Sequence, residues 1–308
     1  MDRQTVSLEH MRSFVRVAAR GSLSAVAREL NVGQSTVSRH LQELEEAVGV
    51  PLLSRTTRRV TLTDEGSRYY ENCLQILRLV EQAGDEARAT RSAAAGTVRL
   101  SCTAAFGILH ITRLIFAFQD RYPEIAVDLG LTDERIDLVR EGVDIALRLA
   151  PLADSAMKLR ALGHSHRILV ANPDYLARRG TPTTPEALAG HEAIRMPNVA
   201  GSEVLILQAP DGTQHRVPFV GRFRANHGLA VREAVLAGRG IAAAHHWLVD
   251  DLTRSGRLVP LLVDHSLPSV PLSMLIVPER AGIARVRLLI DELVAEISRL
   301  PGIRPTAT

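Results

Sequence analysis

The chain has 308 residues, 46% of them hydrophobic, enough for about two domains each with a buried core. No apolar run approaches the roughly 18 residues of a membrane span. The start MDRQTVSLEH also lacks the apolar centre of a secretory signal, so a cytoplasmic protein with no membrane partner is expected. Cys73 and Cys102 are the only cysteines, which leaves no disulfide framework and no thiolate zinc site; neither cofactor nor metal is expected. The formal charge is +3, and residues 1–62 account for it with nine Arg against six Asp and Glu, since the other 28 basic and 28 acidic residues cancel. So small an excess supports a phosphate-facing surface without establishing one.

In chain order, Ser7 caps a first helix whose apolar face is Leu8, Met11, Phe14, Val15 and Ala18, and Gly21 stops it. Ser22 caps a second helix that buries Ala25, Val26 and Leu30, with Ala27 small enough for another helix to cross it. After the tight break Asn31-Val32-Gly33, a third helix runs from about 34 to 48. Val37, Leu41, Leu44 and Val48 repeat there at three- and four-residue steps, leaving Gln34, Ser35, Thr36, Ser38, Arg39 and Gln42 outward. Two short strands then flank Thr56-Thr57-Arg58-Arg59, a wing beside the third helix.

An ordinary helical hairpin competes with the helix-turn-helix reading, but it has no use for a basic wing. Gln34 suits bidentate pairing with adenine, Arg39 guanine or phosphate, Ser35 and Ser38 phosphate, and the Thr36 methyl a thymine methyl. Ser22 joins this DNA-facing set, and Arg55, Arg58 and Arg59 suit the backbone or the adjacent minor groove. Double-stranded DNA is the expected partner.

Thr63 caps a long helix that begins Asp64-Glu65 and runs to about 94, a rod of roughly 45 Å. Tyr70, Cys73, Leu77, Val80, Gly84 and Ala87 fall on a narrow two-helix seam that should find a partner, and a homodimer or homotetramer is expected. Packing on the chain's own second domain is the alternative, and Cys73 reads as buried filler.

From residue 97 strands alternate with helices: strands at 97–101, 125–131 and 143–149, helices at 108–121 and 135–141. Further strands are expected at 167–171, 204–209, 240–244 and 272–277, and further helices at 229–237 and 283–300. The pattern is α/β, with two lobes, a crossing near 163, a return near 268 and a ligand cleft at the strand ends. Pocket candidates are Ser101, Cys102, Thr103 and Phe106 at the end of the first strand and the start of its helix, Arg148 at the end of the third strand, and Asn226 in the second lobe. Capping roles for Ser101, Thr103 and Asn226, and a surface ion pair for Arg148, stand beside that reading. His164 with His166, and His245 with His246, lack a carboxylate or thiol spaced to finish a metal site. Cys102 has no resolving cysteine in its domain, and no nucleophile, acid–base pair or phosphate loop points to an enzyme.

Residues 8–66, with QSTVSRHLQELEEAVGVPL and RTTRRVTLTDEG, resemble the N-terminal signature of LysR-type transcriptional regulators. The likeness continues more weakly through TVRLSCTAAFG, EGVDIALRL and NHGLAVREAVLAGRGIA. Gly33 stands where a capping Thr or Ser is common, and Leu23 and Leu53 where Phe is frequent. The resemblance implies DNA contacts at Gln34, Ser35, Ser38 and Arg39, with Arg55 and Arg58 or Arg59 on the wing. It also implies antiparallel-type pairing of linker helices and an effector domain similar to periplasmic solute-binding folds. The expected organisation is a winged helix-turn-helix at 1–62, a linker helix at 63–94 and an effector domain at 95–308. Lobe 1 spans about 95–163 and 268–308, and lobe 2 about 164–267. The rival is a cytoplasmic small-molecule-binding protein with no DNA role, which leaves residues 1–94 without a purpose.

Overall fold

The computed structural model describes residues 6–55, 60–89, 95–134, 136–151, 157–197 and 203–305. The chain divides into two compact units, Met1–Ser92 with Val139–Gly142, and Ala93–Leu138 with Val143–Thr308.

In the first unit, α1 (Leu8–Arg20) starts at Ser7, whose hydroxyl accepts from the His10 amide, and stops at Gly21. α2 (Leu23–Leu30) starts at Ser22, which accepts from the Ala25 amide, and ends on Asn31 at φ 54°. Asn is among the few residues that adopt this left-handed conformation readily, so the turn into α3 (Gln34–Val48) can be tight. Phe14, Val17, Val26, Val37, Leu41 and Leu44 fill the core between the three helices, with Leu52 from the following segment. Val17 takes the inward place that the sequence pattern gave to Leu8, which is exposed.

The antiparallel strands β1 (Leu53–Arg55) and β2 (Val60–Leu62) are the wing, its entry pinned by Glu45 of α3, whose Oε1 accepts from the Leu52 and Leu53 amides at 2.8 and 3.0 Å. Thr63 fastens the exit. Its hydroxyl donates to the Pro51 carbonyl and accepts from the Gly66 amide at the start of α4 (Asp64–Ala89). Any Cβ on Gly66 would overlap the Leu52 carbonyl, so this close approach of backbone to helix admits glycine alone.

The narrow seam expected along α4 is not how its first turns pack. Cys73 is fully buried in the core of the first unit, and the rings of Tyr69 and Tyr70 lie 5.9 and 6.3 Å from that of Phe14. The α1 side of Phe14 needs cover, and two aromatic rings at the start of α4 supply it. Leu77 and Val80 are half-buried, and among the described residues of this helix the large apolar side chains left exposed are Ile76 and Leu79. Residues 90–94 lie outside the described residues, as does the side chain of Ala87.

The second unit begins with β3 (Gly96–Cys102), α5 (Ala104–Phe106), a wide π turn at Gly107–Ile111 and α6 (Thr112–Arg121). There follow β4 (Ile125–Leu131), β5 (Ile145–Leu149), β6 (Lys158–Ser165), β7 (Arg167–Ala171), α7 (Pro173–Arg179), β8 (Ala193–Arg195), β9 (Val204–Gln208), β10 (Gln214–Pro218) and β11 (Phe223–Arg224). The chain closes with α8 (Gly228–Leu236), β12 (Ile241–His245), α9 (His246–Arg254), β13 (Val259–Leu261), β14 (Val270–Ile276), α10 (Ala284–Ile297) and β15 (Ile303–Arg304). Among the described residues these strands form a six-stranded sheet in the order β15-β6-β14-β5-β3-β4, a five-stranded one in the order β11-β8-β12-β7-β13 and a two-stranded antiparallel pair of β9 and β10. The chain passes between the two larger sheets at His166 and returns between Leu261 and Val270.

Residues 136–141, expected as part of a helix, form no helix; residues 138–142 are turns, closed by the bond from the Val143 amide to the Leu138 carbonyl. With Gly142 at φ 64° so near, the segment is too short to repay helix nucleation. Strands β8, β11, β13 and β15 have two or three residues each and no readable period.

The crossings are stitched by polar side chains. Trp247 Nε1–H donates to Ser165 Oγ at 2.9 Å, and Ser165 Oγ is hydrogen-bonded to His245 Nδ1 at 2.7 Å. Burial, with Arg167 nearby, pushes the pKa of His245 down to about 3.

Candidate nucleic-acid interface and ligand cleft

The candidate nucleic-acid face is built on α3. Because Val37, Leu41 and Leu44 must face the core, the 3.6-residue period turns Gln34, Ser35, Arg39 and Gln42 outward, and all four are exposed. Thr36 and Ser38 flank them half-buried. Arg39 Nε rests 3.8 Å from Glu43 Oε1, and Glu43 is shared with His10 at 3.1 Å. An exposed pair at that distance is weak and readily exchanged for a phosphate or a base. Ser22 is spent on its cap, with its oxygen 3.1 Å from Ser24 Oγ. Arg55 lies in β1, while Arg58 and Arg59 lie outside the described residues, as does the side chain of Arg55.

The candidate ligand site is set by strand direction. β3 runs parallel to both β4 and β5, which brings Ser101, Thr103, Asp133 and Arg148 to one edge of the sheet. Arg148 is no surface ion-pair partner: its Nη2 donates to Ser101 Oγ at 2.8 Å and its Nη1 to the Leu147 carbonyl at 3.0 Å, and burial pulls its pKa down. Thr103 Oγ1 is buried with no hydrogen-bond partner. The anion favoured by the helix start that follows is supplied internally, since Asp133 Oδ1 accepts from the Ala104 amide at 3.1 Å.

Two expected pocket residues turn inward. Cys102 is fully buried and its thiol is pushed up to about 12 by burial, so it stays protonated. Phe106 is fully buried against Trp247, ring centroids 4.9 Å apart, and His110 Nε2 bonds the Trp247 carbonyl at 3.0 Å. These contacts join the two lobes through one continuous apolar cluster. Asn226 is exposed and does not cap α8; His227 does, its Nδ1 accepting from the Leu229 amide. His227 Nε2 also lies 4.0 Å from Asp133 Oδ2 across the lobes.

Asp133, His227 and Trp247 escaped the sequence analysis. Asp133 had a signal, standing two residues past a strand parallel to β3, whereas His227 and Trp247 are brought in only by the crossing of the chain. Among the described residues no cluster of His, Cys, Asp and Glu could hold a metal ion, and no helix is long and apolar enough to cross a membrane.

A winged helix-turn-helix joined to a two-lobed α/β unit with a polar strand-end site defines a ligand-responsive DNA-binding regulator. Residues 8–67 match the model of the bacterial regulatory helix-turn-helix proteins of the lysR family, and residues 91–298 that of the LysR substrate binding domain. The chain is 33% identical over 290 residues to the HTH-type transcriptional regulator CrgA of Neisseria meningitidis serogroup C (strain 8013), covering 94% of this chain and 96% of that one. It is 33% identical over 292 residues to the HTH-type transcriptional regulator DmlR of Escherichia coli (strain K12), with 93% of each covered. Among solved structures, CrgA from Neisseria meningitidis matches with a TM-score of 0.61 at 32% identity, over 96% of this chain and 100% of that one. The full-length Vibrio cholerae virulence activator AphB matches at 0.66 and 27%, over 94% and 99%. The chain belongs to the LysR family of DNA-binding transcriptional regulators, with an effector-binding domain after its helix-turn-helix.

Proposed function

We propose that residues 1–62 seat α3 in the major groove of an operator, with Gln34, Ser35, Thr36, Ser38 and Arg39 contacting bases or phosphates. Ser22, Arg55, Arg58 and Arg59 then engage the backbone or the adjacent minor groove. Residues 63–94 join copies of the chain into a dimer or tetramer. Residues 95–308 bind a small molecule between lobe 1 (95–163 and 268–308) and lobe 2 (164–267), and the protein acts in the cytoplasm without enzymatic chemistry.

The observation that carries the DNA reading is the exposed polar row Gln34, Ser35, Arg39 and Gln42 on a helix anchored by its opposite face. For the effector, support comes from Arg148 held on Ser101 beside the unpartnered Thr103 hydroxyl, a donor set suited to an oxyanion. A ligand there prefers one spacing of the lobes, in which Asp133 and His227 approach or part, and so shifts the arrangement of the paired DNA-binding modules. Gel-shift assays on the intergenic DNA beside the gene test this, with retardation expected at low salt. Failure to bind at low ionic strength, with and without candidate metabolites, sinks the reading.

A further inference from the structure

A cavity of about 910 Å³ opens where the chain crosses between the two sheets, and none of its lining residues belongs to the Ser101–Arg148 site. Its wall draws on both lobes: Arg304 comes from the six-stranded sheet, Ile168 from the five-stranded one, and His166 and Ser269 from the two crossing segments. Five basic side chains line it, His166, Arg167, His246, His265 and Arg304, and no carboxylate is among the described lining residues. Asp264 sits behind His265, 2.8 Å from Nδ1, which leaves Nε2 as the nitrogen open to a ligand.

Imidazole and guanidinium groups lie close together here. Burial first, then Arg304, His164 and His246, lower the pKa of His166. Arg167 is only 7% exposed, and its Nε donates to the Pro268 carbonyl at 3.2 Å, so a buried cation ties the outgoing crossing to the returning one. Backbone bonds complete the frame: the His166 amide donates to the Gly302 carbonyl, and the His166 carbonyl accepts from the His246 amide. The wall is therefore tied together across both lobes, its carboxylates stand behind it, Asp250 3.5 Å from His246 Nε2 and Asp264 beside His265, and its volume falls in the range of small-metabolite sites.

We infer that this crossover cavity is a second ligand site, taking a small metabolite that carries two or more oxyanion groups, carboxylate or phosphate. Arg304 at the exposed rim attracts the anion, Arg167 in the wall offsets its charge, and the histidine nitrogens with Ser266, Ser269, Gln208 and Gln214 supply hydrogen bonds. Because the wall includes both crossings, occupancy favours one lobe arrangement and couples to whatever binds the cleft.

Calorimetric titration of the full chain with citrate and with inorganic pyrophosphate, at constant ionic strength, tests the site without DNA and so independently of operator binding. Saturable binding of at least one probe is expected, with triethyl citrate silent. Arg304→Ala and His265→Gln should each weaken binding about tenfold, the effect of losing one charge-assisted hydrogen bond, and exposed Arg287→Ala should not. Binding of only one probe selects between carboxylate and phosphate within the proposal. No saturable binding of either, undiminished binding by both cavity variants, or a loss that follows Arg148→Ala instead of Arg304→Ala overturns it.

Discussion

Arg39 and Arg148 show how one side-chain type is put to opposite uses by its surroundings. Arg39 is 68% exposed on a single loose contact with Glu43, so its guanidinium can leave for DNA at little cost. Arg39→Ala should weaken operator binding by about 1–3 kcal/mol in a gel-shift titration if it reads a base, and an unchanged Kd removes it as a contact. Arg148 is held by Ser101 and pulled below its ordinary pKa by burial, an environment that an anionic ligand improves. Arg148→Ala should abolish the rise in melting temperature that an effector produces; the same rise in the variant excludes it from the site. His245 is poised differently, with a folded pKa near 3 against about 6.5 in an unfolded chain. Between those values the unfolded chain binds the proton and the folded one does not. Stability therefore falls on acidification through that window, by up to about 1.4 kcal/mol per pH unit, while at neutral pH the group contributes nothing. Urea midpoints at successively lower pH should show this loss, and His245→Asn, which keeps an acceptor for Ser165, should flatten it; equal slopes in both proteins refute the assignment.

At the scale of elements, side-chain packing and one close backbone approach together hold the wing and α4. Gly66 passes so close to the Leu52 carbonyl that Gly66→Ala should cost about 3 kcal/mol, the upper end of overpacking, and depress operator binding with it. Gly190→Ala, which meets nothing and has no positive φ, serves as the neutral reference in the same thermal melts. A midpoint for Gly66→Ala equal to that of Gly190→Ala would contradict this geometry. The glycine of the LT-x-x-G signature thus answers to one carbonyl, and the Thr to both the Pro51 carbonyl and the Gly66 amide. Gly33 is the counterexample: α3 has no side-chain cap there, and nothing in the structure requires glycine.

For the whole molecule, the proposed pairing of copies places its demands on α4. With Tyr70 and Cys73 committed to the core of the first unit, the large apolar groups exposed among the described residues of α4 are Ile76 and Leu79, the latter at 59%. Leu79→Asp should lower the mass found in sedimentation toward that of a monomer, and an unaltered mass would exonerate this face.

Local patterns were legible because they depend on neighbours in sequence. The three N-terminal helices, their Ser7 and Ser22 caps, the Asn31 turn and the strands β3, β4 and β7 follow from periodicity and punctuation alone, and so does the outward set on α3. What joins distant segments was decided only in three dimensions. Side-chain period alone cannot distinguish a seam facing a second copy from one facing Phe14, so the place of Cys73 stayed hidden. Likewise Cys102 and Phe106 sit at a strand end, where a pocket is expected, yet Trp247 arrives from more than a hundred residues away to bury Phe106. Asp133, His227 and the basic crossover cavity exist because strands pair in a non-sequential order, and that order is set by packing the whole core at once.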